Sequence, residues 1–107
     1  MKLPDYFGTE VELVSMTRHE WSFKTTGKID TGATRSSIDY RLAKALRLRE
    51  VGEITVRNAM GKQKRKVVLL AIIVFGRHNI VEATVANRNK MKSPIIIGQD
   101  LLGDDEE

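Results

Sequence analysis

The sequence contains no cysteine, two histidines and few aromatic residues, which make up 6% of the chain. The lack of cysteine excludes disulfide bonds, cysteine nucleophiles, iron–sulfur clusters and thiolate zinc sites. His19 and His78 lie far apart in the sequence, so neither a histidine-rich metal site nor any other cofactor is expected. The sequence shows no hydrophobic leader and no apolar run of 18 residues, which predicts a soluble, cytoplasmic protein without membrane contact.

The chain has 107 residues, of which 41% are hydrophobic and 30% are charged, enough to fill one core. We therefore predict one domain over residues 1–103, followed by a disordered acidic tail over residues 104–107. The formal charge is +4, but without the four tail acids 18 basic residues stand against 10 acidic ones, so the body is near +8. Such a charge fits nucleic-acid binding, an acidic substrate, or solubility alone.

Strand patterns dominate the sequence. Residues 67–75 form a nine-residue apolar run that predicts a strand buried on both faces, with a turn at 76–79 and a partner strand at 80–85. Further short strands are predicted at Val11–Val14, Trp21–Phe23, Ile54–Val56 and Ile95–Ile97. This pattern is typical of a small, mostly β barrel or sandwich.

One main helix is predicted from about Tyr40 to Leu48, capped by Ser37 or Asp39. Its apolar face would carry Leu42, Ala43, Ala45 and Leu46. A second, short helix is predicted to begin near Gln99 or Asp100.

Two segments carry the functional signal. In the first, residues 28–38, an apolar strand leads into Asp30-Thr31-Gly32-Ala33 and an amphipathic helix follows. In the second, residues 93–102, an apolar strand ends at Gly98 and a helix begins. Together with a glycine-bearing hairpin between them, they resemble the retropepsin-like aspartic proteases over roughly residues 27–102. The resemblance implies an all-β fold, a closed six-stranded acid-protease barrel with one main helix and a short C-terminal helix.

A closer resemblance is to a prokaryotic family of retropepsin-like fold whose members are called ATP-dependent zinc proteases. It rests on residues 28–37 and on Asn87-Arg88-Asn89-Lys90-Met91. That family name fits this chain poorly, because the sequence has neither an ATP-binding loop nor a zinc motif.

The resemblance implies that Asp30, Thr31 and Gly32 are catalytic. Two carboxylates about 3 Å apart share one proton, so that one activates water while the other protonates the scissile carbonyl. Thr31 would brace the pair across to the partner loop, and Gly32 would permit a tight turn. Because the chain has one Asp-Thr-Gly, the mechanism requires a homodimer in which Asp30 faces its symmetry mate.

The resemblance also implies a substrate groove. Ala33, Thr34 and Arg35 would line it, and a flap hairpin with Met60 and Gly61 at its tip would close over a peptide or protein substrate.

Two positions depart from the viral pattern. Thr34 and Gln99 stand where viral retropepsins usually have an acidic residue and an arginine that pair, which predicts a neutral contact in place of the ion pair. Basic residues would make the cleft strongly positive and favour a glutamate-rich substrate; they are Arg35, Arg57, Lys62, Lys64, Arg65 and Lys66.

The preferred function is therefore a homodimeric aspartic endopeptidase. One alternative is a non-catalytic dimeric module of the same fold that binds acidic peptides or glutamylated partners. Another is a basic, nucleic-acid-binding β-barrel, but no aromatic residue interleaves the charges of residues 62–66, which argues against it.

Overall fold

We analysed a computed structural model that describes residues 6–16, 21–59, 61–87 and 93–102. The described part of the chain contains seven strands and two helices, in the following order: β1 (Tyr6–Val14), β2 (Ser22–Ile29), β3 (Ser37–Asp39), α1 (Tyr40–Ala45), β4 (Arg49–Asn58), β5 (Gly61–Val74), β6 (Arg77–Ala86), β7 (Ile95–Ile97) and α2 (Gln99–Leu102). The tail at 104–107, both ends of the predicted domain and the segment 88–91 used for the closer resemblance lie outside the described residues.

The strands form one sheet in the order β1-β2-β7-β3-β6-β5-β4, and an additional pairing of β1 with β5 closes it. The closing pairs place Glu12–Val14 opposite Ala71–Ile73. Six strands therefore make a closed barrel, and β4 extends from it as the outer strand of a hairpin with β5. This architecture confirms the six-stranded barrel with one main helix and a short C-terminal helix.

The apolar run in β5 supplies much of the core because it is paired on both edges within the barrel. Leu70 and Ile72 are fully buried, and they pack with Leu13 from β1 and Ile97 from β7. Several buried positions are β-branched, as is typical of strands covered on both faces.

The β5–β6 hairpin was predicted, but its turn lies earlier than the sequence suggested. Val74 pairs with Arg77, so the turn consists of Phe75 and Gly76, both with positive φ (54° and 72°). This is the two-residue geometry that matches the right-handed twist of the flanking strands. The predicted turn at 76–79 is wrong because Arg77 already belongs to β6.

Helix α1 begins as predicted but is shorter. Asp39 is its N-cap and accepts a hydrogen bond from the Arg41 backbone N–H. The Asp39 carboxylate also accepts a hydrogen bond from the Arg41 side chain, which raises the pKa of the Arg41 guanidinium above its usual value. The helix stops at Ala45, which is exposed rather than on the apolar face. Arg47 takes a left-handed conformation (φ 51°). Its backbone N–H donates to the Lys44 carbonyl, and the Leu48 N–H donates to the Ala43 carbonyl. These two hydrogen bonds form the pattern of a Schellman C-cap.

Candidate active site

The loop that carries Asp30 crosses the end of a buried strand. β7 lies between β2, to which it is parallel, and β3, to which it is antiparallel. The chain leaves β2 at Ile29, passes over β7 through residues 30–36, and enters β3 on the other side. The Asp30 backbone N–H donates to the Ile97 carbonyl at 3.0 Å, which ties the start of this loop to β7. The position of Asp30 is therefore fixed by the core of the barrel.

The Asp30 carboxylate is held from both sides by its own chain. Oδ1 accepts a hydrogen bond from the Gly32 backbone N–H at 3.0 Å, and Oδ2 lies 3.6 Å from the Lys28 ammonium. The carboxylate side chain is 24% exposed, so it remains reachable from solvent. The Ala33 N–H donates to the Asp30 carbonyl at 3.1 Å and closes the turn. This geometry presents a carboxylate on a rigid support.

The segment after β7 is hydrogen-bonded to the loop that carries Asp30. The Gln99 backbone N–H donates to the Ala33 carbonyl at 2.9 Å, and its side-chain Nε2 donates to the Thr31 carbonyl at 2.6 Å. The sequence predicts a neutral contact between Gln99 and Thr34, whereas the side-chain contact found for Gln99 is with the Thr31 backbone. Gly98 is required for this close approach, because a Cβ there would lie 2.8 Å from backbone atoms of Ala33 and Arg35.

Ser36 and Asp100 fasten the other end of the loop. Asp100 accepts from the Ser36 backbone N–H at 2.9 Å and from its hydroxyl at 2.8 Å. The Ser36 hydroxyl in turn accepts from the Gly98 N–H at 3.1 Å, and the Ser36 carbonyl accepts from the Thr84 N–H at 3.0 Å. Ser36 is fully buried, so this network saturates a polar group in the core. Sequence reasoning missed the pairing, although Asp100 stands in a segment that carries the resemblance.

A cavity of about 420 Å³ opens beside the loop. One side is formed by Ala33, Thr34 and Arg35, so the predicted groove residues do come together. Ser37, Thr84 and Ile96 form a row across three strands at its base, since Ser37 pairs with both of the others. The opposite wall comes from the β4–β5 hairpin, namely Ile54, Val56 and Arg65.

The β4–β5 hairpin stands where the flap was predicted. Asn58 pairs with Gly61, so Gly61, which the sequence predicts at the tip, is already the first residue of β5. Gly61 takes a φ of 121°, which side chains rarely adopt and which explains a glycine there. Met60 lies outside the described residues.

Of the basic residues expected to make the cleft strongly positive, only part lines the cavity among the described residues. Arg65 is half-buried opposite Ile54 and lines the cavity. Lys64 and Lys66 precede and follow it, so the alternation of a strand places their side chains on the other face, where both are exposed. The positive charge of the cavity thus comes from Arg35 and Arg65.

Comparison with known proteins identifies the family. The sequence model of the family described as "gag-polyprotein putative aspartyl protease" matches residues 23–104, which include the Asp30 loop, the hairpin and the Gly98 segment. The chain belongs to this family. No curated protein matches the sequence.

Solved structures of aspartic proteases share the fold of this family member. The simian foamy virus (mac) protease gives a TM-score of 0.64 at 17% identity, covering 89% of this chain and 90% of the viral one. EIAV protease in complex with the inhibitor HBY-793 gives a TM-score of 0.62 at 20% identity, covering 92% of this chain and 84% of the EIAV chain. A retropepsin-like aspartic protease from Rickettsia conorii gives 0.58 at 15% identity, covering 99% and 92%. The predicted retropepsin-like fold is confirmed.

Neither helix in the described part of the chain is long and apolar enough to cross a bilayer. The cytoplasmic location predicted from the sequence stays a prediction.

Proposed function

We propose that this aspartyl protease family member is a homodimeric endopeptidase in which Asp30 of each chain supplies one carboxylate. The observation that carries the proposal is the loop geometry: a partly exposed carboxylate, fixed by the Ile97 and Gly32 contacts, is carried by the same loop whose residues 33–35 line a cavity opposite a hairpin. Such a preorganised carboxylate is what water activation requires.

The single Asp-Thr-Gly of the chain supports the dimer. In the described part of the chain, the polar contacts of the Asp30 carboxylate are with Gly32 and Lys28, and neither supplies a second carboxylate. Two chains related by a twofold axis would bring two Asp30 residues together, with Thr31 bracing the loops. The active site is then half provided by each chain.

The proposed reaction uses the shared proton of the pair. The ionised carboxylate accepts a proton from water as the water oxygen attacks the scissile carbonyl carbon. The protonated carboxylate donates to the carbonyl oxygen. The tetrahedral diol then collapses: the carboxyl group that took the proton from water passes it to the amide nitrogen, the other carboxylate takes a proton from a diol hydroxyl, and the C–N bond breaks.

A subunit-mixing experiment tests the proposal. Wild-type protein and Asp30→Asn are equilibrated at constant total concentration, and hydrolysis of a proteome-derived peptide library is measured by mass spectrometry. We expect activity to fall as the square of the wild-type fraction, because heterodimers lack one carboxylate. A linear decrease would show that one chain is sufficient. Equal activity of Asp30→Asn alone would show that Asp30 is not catalytic.

A non-catalytic dimeric binding module is the second candidate, favoured by the Lys28 contact. Both Asp30 oxygens already have partners in their own chain, an arrangement that also suits a carboxylate with a purely structural role. Peptide binding without hydrolysis at any pH would select this function. The closer resemblance to the prokaryotic family stays a prediction, since the comparisons identify the broader family.

A further inference from the structure

Two residues that line the cavity beside the Asp30 loop carry buried polar atoms without a partner among the described residues. These atoms are the Ser37 hydroxyl and Arg65 Nε, which make no hydrogen bond within the part of the chain that the structure describes. Ser37 is only 7% exposed, and both residues line this cavity. Burial of an unpaired donor costs free energy, and the two residues that carry these covered atoms line one cavity, so a ligand acceptor that enters the cavity and reaches them would recover that cost.

The charge of the cavity defines the ligand. Arg65 provides a guanidinium wall and Arg35 a second cation at the rim, while none of the described lining residues is acidic. Among the described residues, the Arg65 side chain contacts Gln63, whose Oε1 lies 3.4 Å from Nη2, at the long limit of a hydrogen bond. A guanidinium can bind the two oxygens of a carboxylate through a pair of its N–H groups.

The cavity also has an apolar lining, which suits the hydrocarbon part of a ligand. Ile54 and Val56 on the hairpin and Ile96 on β7 line the same space. A glutamate side chain has two methylene groups that would pack on these residues while its carboxylate reaches Arg65 and Ser37. Aspartate is one methylene shorter and would reach the donors less well.

We propose that this cavity is a glutamate-selective subsite in which Arg65 and Ser37 bind the side-chain carboxylate of a substrate residue close to the cleaved bond. The proposal rests on the proposed function for its placement next to the cleaved bond. Arg65 and Ser37 are specificity residues here and take no part in bond cleavage.

Cleavage profiling with a proteome-derived peptide library tests the subsite. We expect wild-type cleavage sites to be enriched in glutamate at one fixed position, at least fivefold over glutamine. Arg65→Met should lower this preference below twofold while cleavage at other sites continues, and Arg65→Lys should retain part of it. The matched control is Lys64→Met, which removes the neighbouring cation from the opposite face and should keep the full preference. Hydrolysis without glutamate enrichment, or the same enrichment in Arg65→Met, would overturn the subsite and leave the proposed function intact.

Ser37→Ala provides an independent variant that keeps the fold. Its hydroxyl has no partner, so removing it should not lower the midpoint of urea unfolding, yet the glutamate preference should fall severalfold. An unchanged preference would overturn the role of Ser37.

Binding to Asp30→Asn separates this proposal from the proposed function. A fluorescent apolar peptide with one central glutamate should bind at least fivefold more tightly than its glutamine counterpart, and Arg65→Met should abolish the difference. If Asp30→Asn showed this selectivity but the wild-type protein cleaved no peptide, the subsite would stand and the proposed peptidase function would be rejected. Equal binding of both peptides, with or without hydrolysis, would overturn the subsite.

Discussion

Lys28 and Asp30 form an ion pair at the end of β2, with Nζ 3.6 Å from Oδ2 and about a quarter of each side chain exposed. In the proposed dimer, two such pairs meet at the twofold axis. Each ammonium then offsets part of the repulsion between the two carboxylates, which otherwise opposes the association of the chains.

We therefore expect Lys28→Met to weaken self-association at neutral pH by about two- to fivefold, the range for a partly exposed ion pair worth about 0.4 to 1 kcal/mol. Sedimentation equilibrium measures the dimer dissociation constant. Asp30→Asn in the same background should restore association, because the repulsion is then absent. Lys24→Met, on the same strand, is the control and should have no effect. If Lys28→Met weakened self-association equally in the wild-type and Asp30→Asn backgrounds, this explanation would be contradicted.

The bond between Ser36 and Asp100 should be a main support of the active-site loop. Asp100→Ala removes the acceptor of two hydrogen bonds and leaves the buried Ser36 N–H and hydroxyl without it. We expect the free energy of unfolding to fall by about 1.5–3 kcal/mol, measured by urea denaturation. Asp100→Asn should lower the free energy of unfolding by less, since one acceptor oxygen remains. Glu82→Ala, which removes an exposed acid on β6, should change stability by less than about 0.5 kcal/mol.

Local features of this fold were predictable because they depend on neighbouring residues. The apolar run predicted a buried strand that became part of β5, Asp39 was recognised as a possible cap of α1, and Asp30-Thr31-Gly32 marked the loop. Each of these depends on side-chain chemistry within a few positions. The resemblance added the order of the long-range elements.

Features that depend on register were not predictable. Whether Arg65 or Lys64 faces the cavity is decided by the pairing of Asn58 with Gly61, and a shift of one residue would exchange the two faces. The Ser36–Asp100 bond joins residues 64 positions apart, and it forms because β7 inserts between β2 and β3. No local pattern contains that insertion.

The turn at Phe75 carries backbone strain that a substitution should relieve. Phe75 has a φ of 54° and its side chain is 58% exposed, so little packing compensates for the left-handed conformation. Phe75→Asn creates Asn-Gly, the preferred pair for this turn, and should raise the free energy of unfolding by about 0.5–1 kcal/mol in urea denaturation. Phe75→Ala removes the same ring without favouring positive φ and should give no such gain. Equal effects of both variants would show that the ring, rather than the backbone, is responsible.

Gly98 and Gly52 provide a matched pair that tests how tightly the Asp30 loop is held. A Cβ at Gly98 would lie 2.8 Å from backbone atoms of Ala33 and Arg35, whereas a Cβ at Gly52 would meet nothing within 4 Å. Gly98→Ala must therefore displace the loop, and we expect it to lower the free energy of unfolding by about 1–3 kcal/mol and to reduce peptide hydrolysis more than tenfold. Gly52→Ala should change both by far less. If the two variants unfolded at the same urea concentration, the loop would be more compliant than its contacts with β7 and α2 imply, and Asp30 would not be rigidly positioned.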